Sequence, residues 1–244
     1  MGKPSKVSLY QQEAPEALSL ESKFQFHCHA GLACFNQCCR TPTILLSPYD
    51  LLRLKQALKL STGEILARYT ITGSDEASNL PLVFVDAFSA DRGGCPFLSQ
   101  EGCKVYQHRP AACRLFPITM GSQLTEHGIM DHYFCRRLTY CRGFAAGREW
   151  TVASWQEDQG FKEFDQGRRE WLEILLQTGL KGPVTDEIHE MVMNVAYDLD
   201  KFRRMIKAGG LPIGYDLADH PLPELLTDDL ALLKFSYRHL KSIL

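Results

Sequence analysis

The sequence predicts an α+β fold, mostly helical, in which a loop-rich, cysteine-rich region is followed by a helical C-terminal region. Three observations predict it. All nine cysteines lie within the first 141 residues, and the 103 residues after Cys141 hold none. Beyond about Glu149, apolar residues such as Trp171, Ile174 and Leu175 recur at helical spacing. Between these extremes stands a short β-favouring run, Leu82-Val83-Phe84-Val85. The division that follows is a flexible lead-in over 1–22, a cysteine-cluster region over 23–145 and a helical region over 146–244.

The elements can be justified in order. Residues 1–22 are polar and without clear periodicity. Ser47-Pro48-Tyr49-Asp50 reads as a helix start, with a capping hydroxyl, proline in the first turn and an acid at the positive end of the dipole. Leu51, Leu54 and Leu58 continue it. Ser61 with Glu64 three residues later resembles a capping box, opening a second helix to about Tyr69. Gly93-Gly94 marks a break, Lys104 to Tyr106 a short strand, and Pro110 one helical turn. Gly179 and Gly182-Pro183 stop the helix that carries Trp171. Thr185-Asp186-Glu187 starts another that runs to Gly209-Gly210, and Leu225 to about Leu240 forms a third.

Composition excludes several classes. Hydrophobic residues make up 45% of the 244 and charged residues 23%, which suffices for a core without staples. Net charge is −2, and Arg136-Arg137, Arg168-Arg169 and Arg203-Arg204 are isolated pairs that read as solvated faces. A nucleic-acid binder would carry a basic stripe, so no nucleic-acid partner is expected. Met1 to Leu20 has no apolar core of signal-peptide length, and no stretch approaches the roughly 20 apolar residues of a membrane span. Gly2 lacks the Ser or Thr that myristoylation wants where Lys6 stands. The expectation is a cytoplasmic protein with no membrane partner.

The cysteines are the chemistry of this chain. A disulfide framework needs an oxidising compartment, and the odd count argues against it. Inert core thiols are common singly but do not explain Cys38-Cys39 or the close spacing of Cys28-x5-Cys34-x3-Cys38-Cys39. Thiolate ligation of a soft or borderline metal explains both. Adjacent cysteines point in different directions, so Cys38 and Cys39 need not serve the same metal. A second group follows as Gly94-Cys95-Pro96-Phe97-Leu98, then Cys103-Lys104-Val105-Tyr106, then Arg109-Pro110-x2-Cys113-Arg114-x-Phe116-Pro117.

The whole string, over residues 24 to 145, resembles the YkgJ-type cysteine-cluster family, whose members are described as zinc- or iron-chelating and as Fe-S-cluster-containing. The family pattern is a cysteine group ending in Cys-Cys, then Cys-x-Phe-Leu, Cys-x-x-Tyr and Arg-Pro-x-x-Cys-Arg-x-Phe/Tyr-Pro, and every element is present. The gaps in the first group are wider than the shortest family form, Cys-x2-Cys-x2-Cys-Cys. The resemblance implies that Cys34, Cys38, Cys39, Cys95, Cys103 and Cys113 are metal ligands, and extends to Cys28 and Cys141; Cys135 is a further candidate. Arg109 and Arg114 are expected to offset thiolate charge and donate to sulfur, or else to pair with acids such as Asp91 or Glu101. His27, His29 and His108 stand beside the cysteines and read either as ligands or as structural groups.

The cofactor expected is an iron–sulfur cluster, with zinc as the alternative, and the corresponding functions are a redox protein or part of a modifying enzyme, or a zinc-organised interaction module. Some family members resemble flagellin lysine N-methylases, so a protein-lysine N-methylase is a further alternative, although no S-adenosylmethionine motif is written here. Thiol redox sensing without permanent metal is a last reading. Position 41 is Thr, so Cys34-x3-Cys38 is not the start of a three-cysteine radical loop. There is no G-x-G-x-x-G, G-x4-G-K-[ST], H-E-x-x-H or G-x-S-x-G, and no catalytic residue is assigned. The helical region is the expected surface for a protein partner.

Overall fold

A computed structural model describes residues 6–7, 17–88, 93–145, 147–177, 184–210 and 222–244. The expected stops at Gly179 and Gly182-Pro183, and Asp91, lie outside them.

After β1 (Lys6–Val7) and β2 (Lys23–Gln25), the first cysteine group occupies a loop that ends in a 3-10 turn, Gln37–Cys39. Next come β3 (Leu45–Leu46), α1 (Pro48–Leu58) and α2 (Thr62–Tyr69). Both helices start where the capping signals put them. Ser47 accepts from Asp50 N–H while Asp50 accepts from Ser47 N–H, and Ser61 and Glu64 repeat the exchange. A hairpin of β4 (Thr70–Asp75) and β5 (Pro81–Val85) follows, and every residue of β5 is buried. With β1 and β3 these form one sheet in the order β1-β4-β5-β3, parallel only between β1 and β4.

The second cysteine group runs through a small hairpin, β6 (Leu98–Ser99) and β7 (Gly102–Cys103), a 3-10 turn at Tyr106–His108 and α3 (Ala111–Leu115). The strand expected at Lys104 to Tyr106 is displaced towards the N-terminus. Gly102, at φ 123°, supplies the tight reversal that brings Cys103 opposite Leu98, and the chain has already turned by Tyr106. A longer hairpin follows, β8 (Ile118–Thr125) with β9 (Gly128–Cys135), beyond the elements expected from the sequence. Its signal was a Gly-containing turn between two alternating runs, Glu126-His127-Gly128.

The remainder is β10 (Glu149–Thr151), α4 (Val152–Asp158), α5 (Phe161–Leu176), α6 (Asp186–Val192) leading into a π-helical turn at Met193–Tyr197, α7 (Leu199–Lys207), α8 (Leu222–Thr227) and α9 (Asp229–Ile243). The helix expected from Thr185 to Gly209 is broken at Asp198. That carboxylate accepts from Lys201 N–H, capping a fresh helix, and from Thr62 Oγ1–H of α2. The expected helix from Leu225 is likewise split, because Asp228 caps α9 by accepting from Leu230 and Ala231 N–H. Among the described residues no helix is long and apolar enough to cross a membrane.

Two buried clusters hold these elements together, and each draws on residues from both sides of position 145. The larger joins α1, β5, Phe97 and Val105 to α5, α7 and α9 around Trp171, which meets Tyr197 edge-on at 5.3 Å and stacks on Tyr237 at 6.2 Å. The smaller packs Phe24 and Phe26 against Trp150 and Trp155. In two of the arginine pairs expected on solvated faces, one member is drawn into the structure, while Arg204 stays exposed as expected. Arg168 is 7% exposed and pairs with Asp165 and Asp131, fastening α5 to β9, and Arg203 pairs with Asp200 and Asp229. A buried guanidinium is stable only with such partners.

Gly167 lies inside α5, where alanine would normally stabilise a helix by up to about 1 kcal/mol. A Cβ there would sit 2.3 Å from the Tyr49 ring. Gly167→Ala is therefore expected to lower stability by about 1–3 kcal/mol, read as a fall in the urea midpoint. An unchanged or raised midpoint would contradict this packing.

Candidate metal centre

The loop bearing the first cysteine group is pinned at its entrance. β2 pairs antiparallel with β10, setting Phe24 opposite Trp150, and Trp150 Nε1–H donates to the Phe26 carbonyl at 2.9 Å. Beyond it, His27 N–H donates to the Gly143 carbonyl at 2.9 Å, which carries the segment around Cys141 alongside Cys28. The approach demands glycine: a Cβ on Gly147 would lie 2.5 Å from Phe26 N. Arg142 N–H then donates to Cys34 Sγ at 3.1 Å. Amide-to-sulfur bonds of this kind favour the thiolate and, in a metal centre, its ligating form.

The second group is drawn to the first by backbone contact. Cys95 N–H donates to the Cys39 carbonyl at 2.8 Å. Gly94 has φ 141°, and a Cβ on it would stand 2.8 Å from that same carbonyl oxygen, so only glycine lets the segments touch here. Cys113 arrives on α3, whose first residue is tied to α1: Ala111 N–H donates to Asp50 Oδ1 at 2.8 Å. Asp50 Oδ2 accepts from Ser47 N–H at 2.8 Å and Ser47 Oγ–H at 2.7 Å.

The thiols influence one another in a definite pattern. Cys38 and Cys39 hold their sulfurs 3.9 Å apart. The hydrogen bond from Cys39 lowers the Cys38 thiol to about 7, and the same bond, then burial, raises Cys39. Although Cys28 as a residue is exposed, its sulfur is partly desolvated by its neighbours. That desolvation, followed by the charges of Cys38, Cys34 and Cys141, pushes it up to about 11. Burial, then Cys95, Cys103, Asp50 and Cys38, raises Cys113. Cys141 is raised by burial and by Cys34 and Cys38. Cys135 is raised by burial, lowered by Arg137 and influenced by Cys141.

Arg109 and Arg114 are both buried, and neither meets a carboxylate among the described residues. Arg109 donates to the Tyr106 carbonyl and to Gln159 Oε1 and lies over the Tyr106 ring at 3.9 Å. Its charge lowers the Cys103 thiol against a larger opposing effect of burial. Arg114 donates to the carbonyls of Gln159 and Gln107, over the Phe164 ring. Burial, then the charges of Arg109 and Arg53, lowers Arg114 to about 10. Together they fasten the turn before Cys113 to the start of α5. The rings of His27 and His29 lie 4.8 Å apart, and His29 Nδ1 accepts from Gly31 N–H.

A cavity of about 1550 Å³ is lined by six of the cysteines, Cys28, Cys38, Cys39, Cys95, Cys103 and Cys113. Among the described residues, no three Cys, His, Asp or Glu side chains converge tightly enough to hold a metal ion as they stand. The donor set nevertheless fits a thiolate-bound metal in its chemistry: soft sulfurs on pinned segments, one already accepting an amide proton.

Residues 27–142 match the model of the CxxCxxCC family, described as "Putative zinc- or iron-chelating domain". An uncharacterized protein of Methanocaldococcus jannaschii is 31% identical over 112 residues, a match covering 45% of this chain and 55% of that protein. The chain thus spans about half the length of the curated relative. No solved structure matches it.

Two outcomes follow from this arrangement. Asp50→Ala removes a helix cap, worth about 1 kcal/mol, and leaves a buried N–H unpaired at about 1–3 kcal/mol; calorimetry should show a loss of about 2–4 kcal/mol. In metal-free, reduced protein, Cys38 should be alkylated before Cys113. Its rate should rise as pH passes through about 7 and then level off, while Cys113, raised by burial, still gains rate well above that pH. Mass spectrometry of timed iodoacetamide labelling reads both, and equal rates at pH 7 would refute the assignment.

Proposed function

We propose that the cysteine-rich region, whose residues 27–142 match the model described as "Putative zinc- or iron-chelating domain", holds iron–sulfur through its cysteine thiolates. The observation that carries the reading is a set of eight thiols gathered from three stretches of chain, Cys28 to Cys39, Cys95 to Cys113 and Cys141, six of which line one cavity. A lone zinc ion would use only four of them.

Charge supports it too. A centre ligated by four thiolates keeps net negative charge. Among the described residues, Arg136, Arg137, Arg142 and Arg148 on this face have no carboxylate at ion-pair distance, whereas Arg53, Arg68, Arg168, Arg169 and Arg203 all do. Positive charge is thus left over where the ligands gather. Iron–sulfur, when bound, would supply one-electron redox chemistry. The chain's own part is to hold sulfurs, donate the Arg142 N–H and present arginine charge, each of which sets a reduction potential. Any modifying activity, lysine methylation included, and any protein partner on the helical region rest on the resemblance and on position in the chain.

Purification without oxygen, with a visible spectrum and assays of iron, zinc and sulfide, tests the proposal. Brown protein with iron and sulfide is the expected result. Colourless protein with stoichiometric zinc would overturn it and leave a zinc-organised module.

A further inference from the structure

Eight of the nine cysteines divide at one peptide bond. Cys38 and Cys39 occupy a 3-10 turn, in which successive side chains project roughly 120° apart. On one side of the turn, the segment around Cys141 is brought to Cys28 and Cys34 by the His27-to-Gly143 and Arg142-to-Cys34 hydrogen bonds. On the other, Cys95 is bonded to the Cys39 carbonyl, Cys103 pairs across the small hairpin with Leu98, and Cys113 stands on the turn that Asp50 anchors.

We infer that the chain carries two metal centres rather than one, the first ligated by Cys28, Cys34, Cys38 and Cys141 and the second by Cys39, Cys95, Cys103 and Cys113. This deepens the metal-binding reading and rests on it, but it holds for either metal, since four thiolates complete a zinc site as well as an iron–sulfur cluster. Eight thiolates exceed what one such centre accepts.

The cavity divides the cysteines in a similar way. All four of the second set, Cys39, Cys95, Cys103 and Cys113, line it, whereas Cys34 and Cys141 of the first do not. Cys28 and Cys38 of the first set line it too. The place of Cys38 follows from the count: it completes the first set once Cys39 belongs to the second. With their sulfurs 3.9 Å apart, the two residues make the dipeptide the link between the centres. Cys135 falls outside both. It sits on β9 opposite Ile118 and packs against the apolar cluster around Phe26.

The test uses the full-length protein loaded with metal without oxygen. Metal per chain is measured together with a mass-spectrometric map of cysteines protected from alkylation. Wild type should hold two centres and protect eight cysteines, leaving Cys135 open. Cys141→Ser should lose one centre and expose only Cys28, Cys34 and Cys38. Cys113→Ser should lose the other and expose only Cys39, Cys95 and Cys103, while Cys135→Ser should keep both. Because a variant can lose metal by unfolding, wild type is also followed under slow chelation, where each set should lose protection as a unit at its own rate. One centre's worth of metal in wild type, or all eight cysteines released together, would overturn the two-centre inference and leave the metal-binding reading intact. Wild type with no metal and no protected cysteine would sink both.

Discussion

The buried carboxylate of Asp50 is the constraint on which the rest of this structure depends. It is 2% exposed, and a carboxylate so placed is tolerated only when donors satisfy it. Three do: two from Ser47, which begin α1, and one from Ala111, which begins the turn bearing Cys113. One side chain thereby starts a helix of the main core and fixes the last ligand segment of the cysteine region against it. Burial raises its pKa even so, which is the cost of placing an acid where two elements must meet.

Around that joint the cysteine segments are fixed more by backbone than by side chain. Carbonyls of Phe26, Cys39 and Gly143 each accept one hydrogen bond from a distant part of the chain, and Gly94 and Gly147 permit approaches that any Cβ would block. The arginines are used differently according to where they stand. Arg168, Arg169 and Arg203 of the helical region are paired with aspartates, while Arg109 and Arg114 give their donors to carbonyls and a glutamine, and the charge of Arg109 reaches Cys103. A site built this way can bring thiolates together without opposing each with a carboxylate.

Local signals were legible wherever the physics is local. Ser47-Pro48-x-Asp50 and Ser61-x-x-Glu64 set helix starts because capping is decided within four residues. Leu82 to Val85 was legible as a strand because a fully buried strand is a continuous apolar run. The β8–β9 hairpin was missed because its faces mix polar and apolar residues and its pairing is written across both strands together. The breaks at Asp198 and Asp228 were missed because an aspartate inside a polar helical stretch announces a cap only when its partners are known, here Thr62 from another helix. Arg168 looked like surface because its partner Asp131 lies 37 residues away, on that unanticipated hairpin.

By itself the sequence determined the chemistry and the local frame: nine cysteines confined to one stretch, the Cys-Cys and Arg-Pro-x-x-Cys-Arg signatures, and the capped helices. These depend on residue type and short spacing, which are written in the chain. The tertiary structure decided which thiols are neighbours. Cys141 comes to Cys34 across 107 residues, and Cys95 reaches the Cys39 carbonyl, because β2–β10 pairing, two glycines and the Asp50 joint fold distant segments onto one another. Contacts of that kind depend on every segment between them being in place, and no spacing rule contains that information.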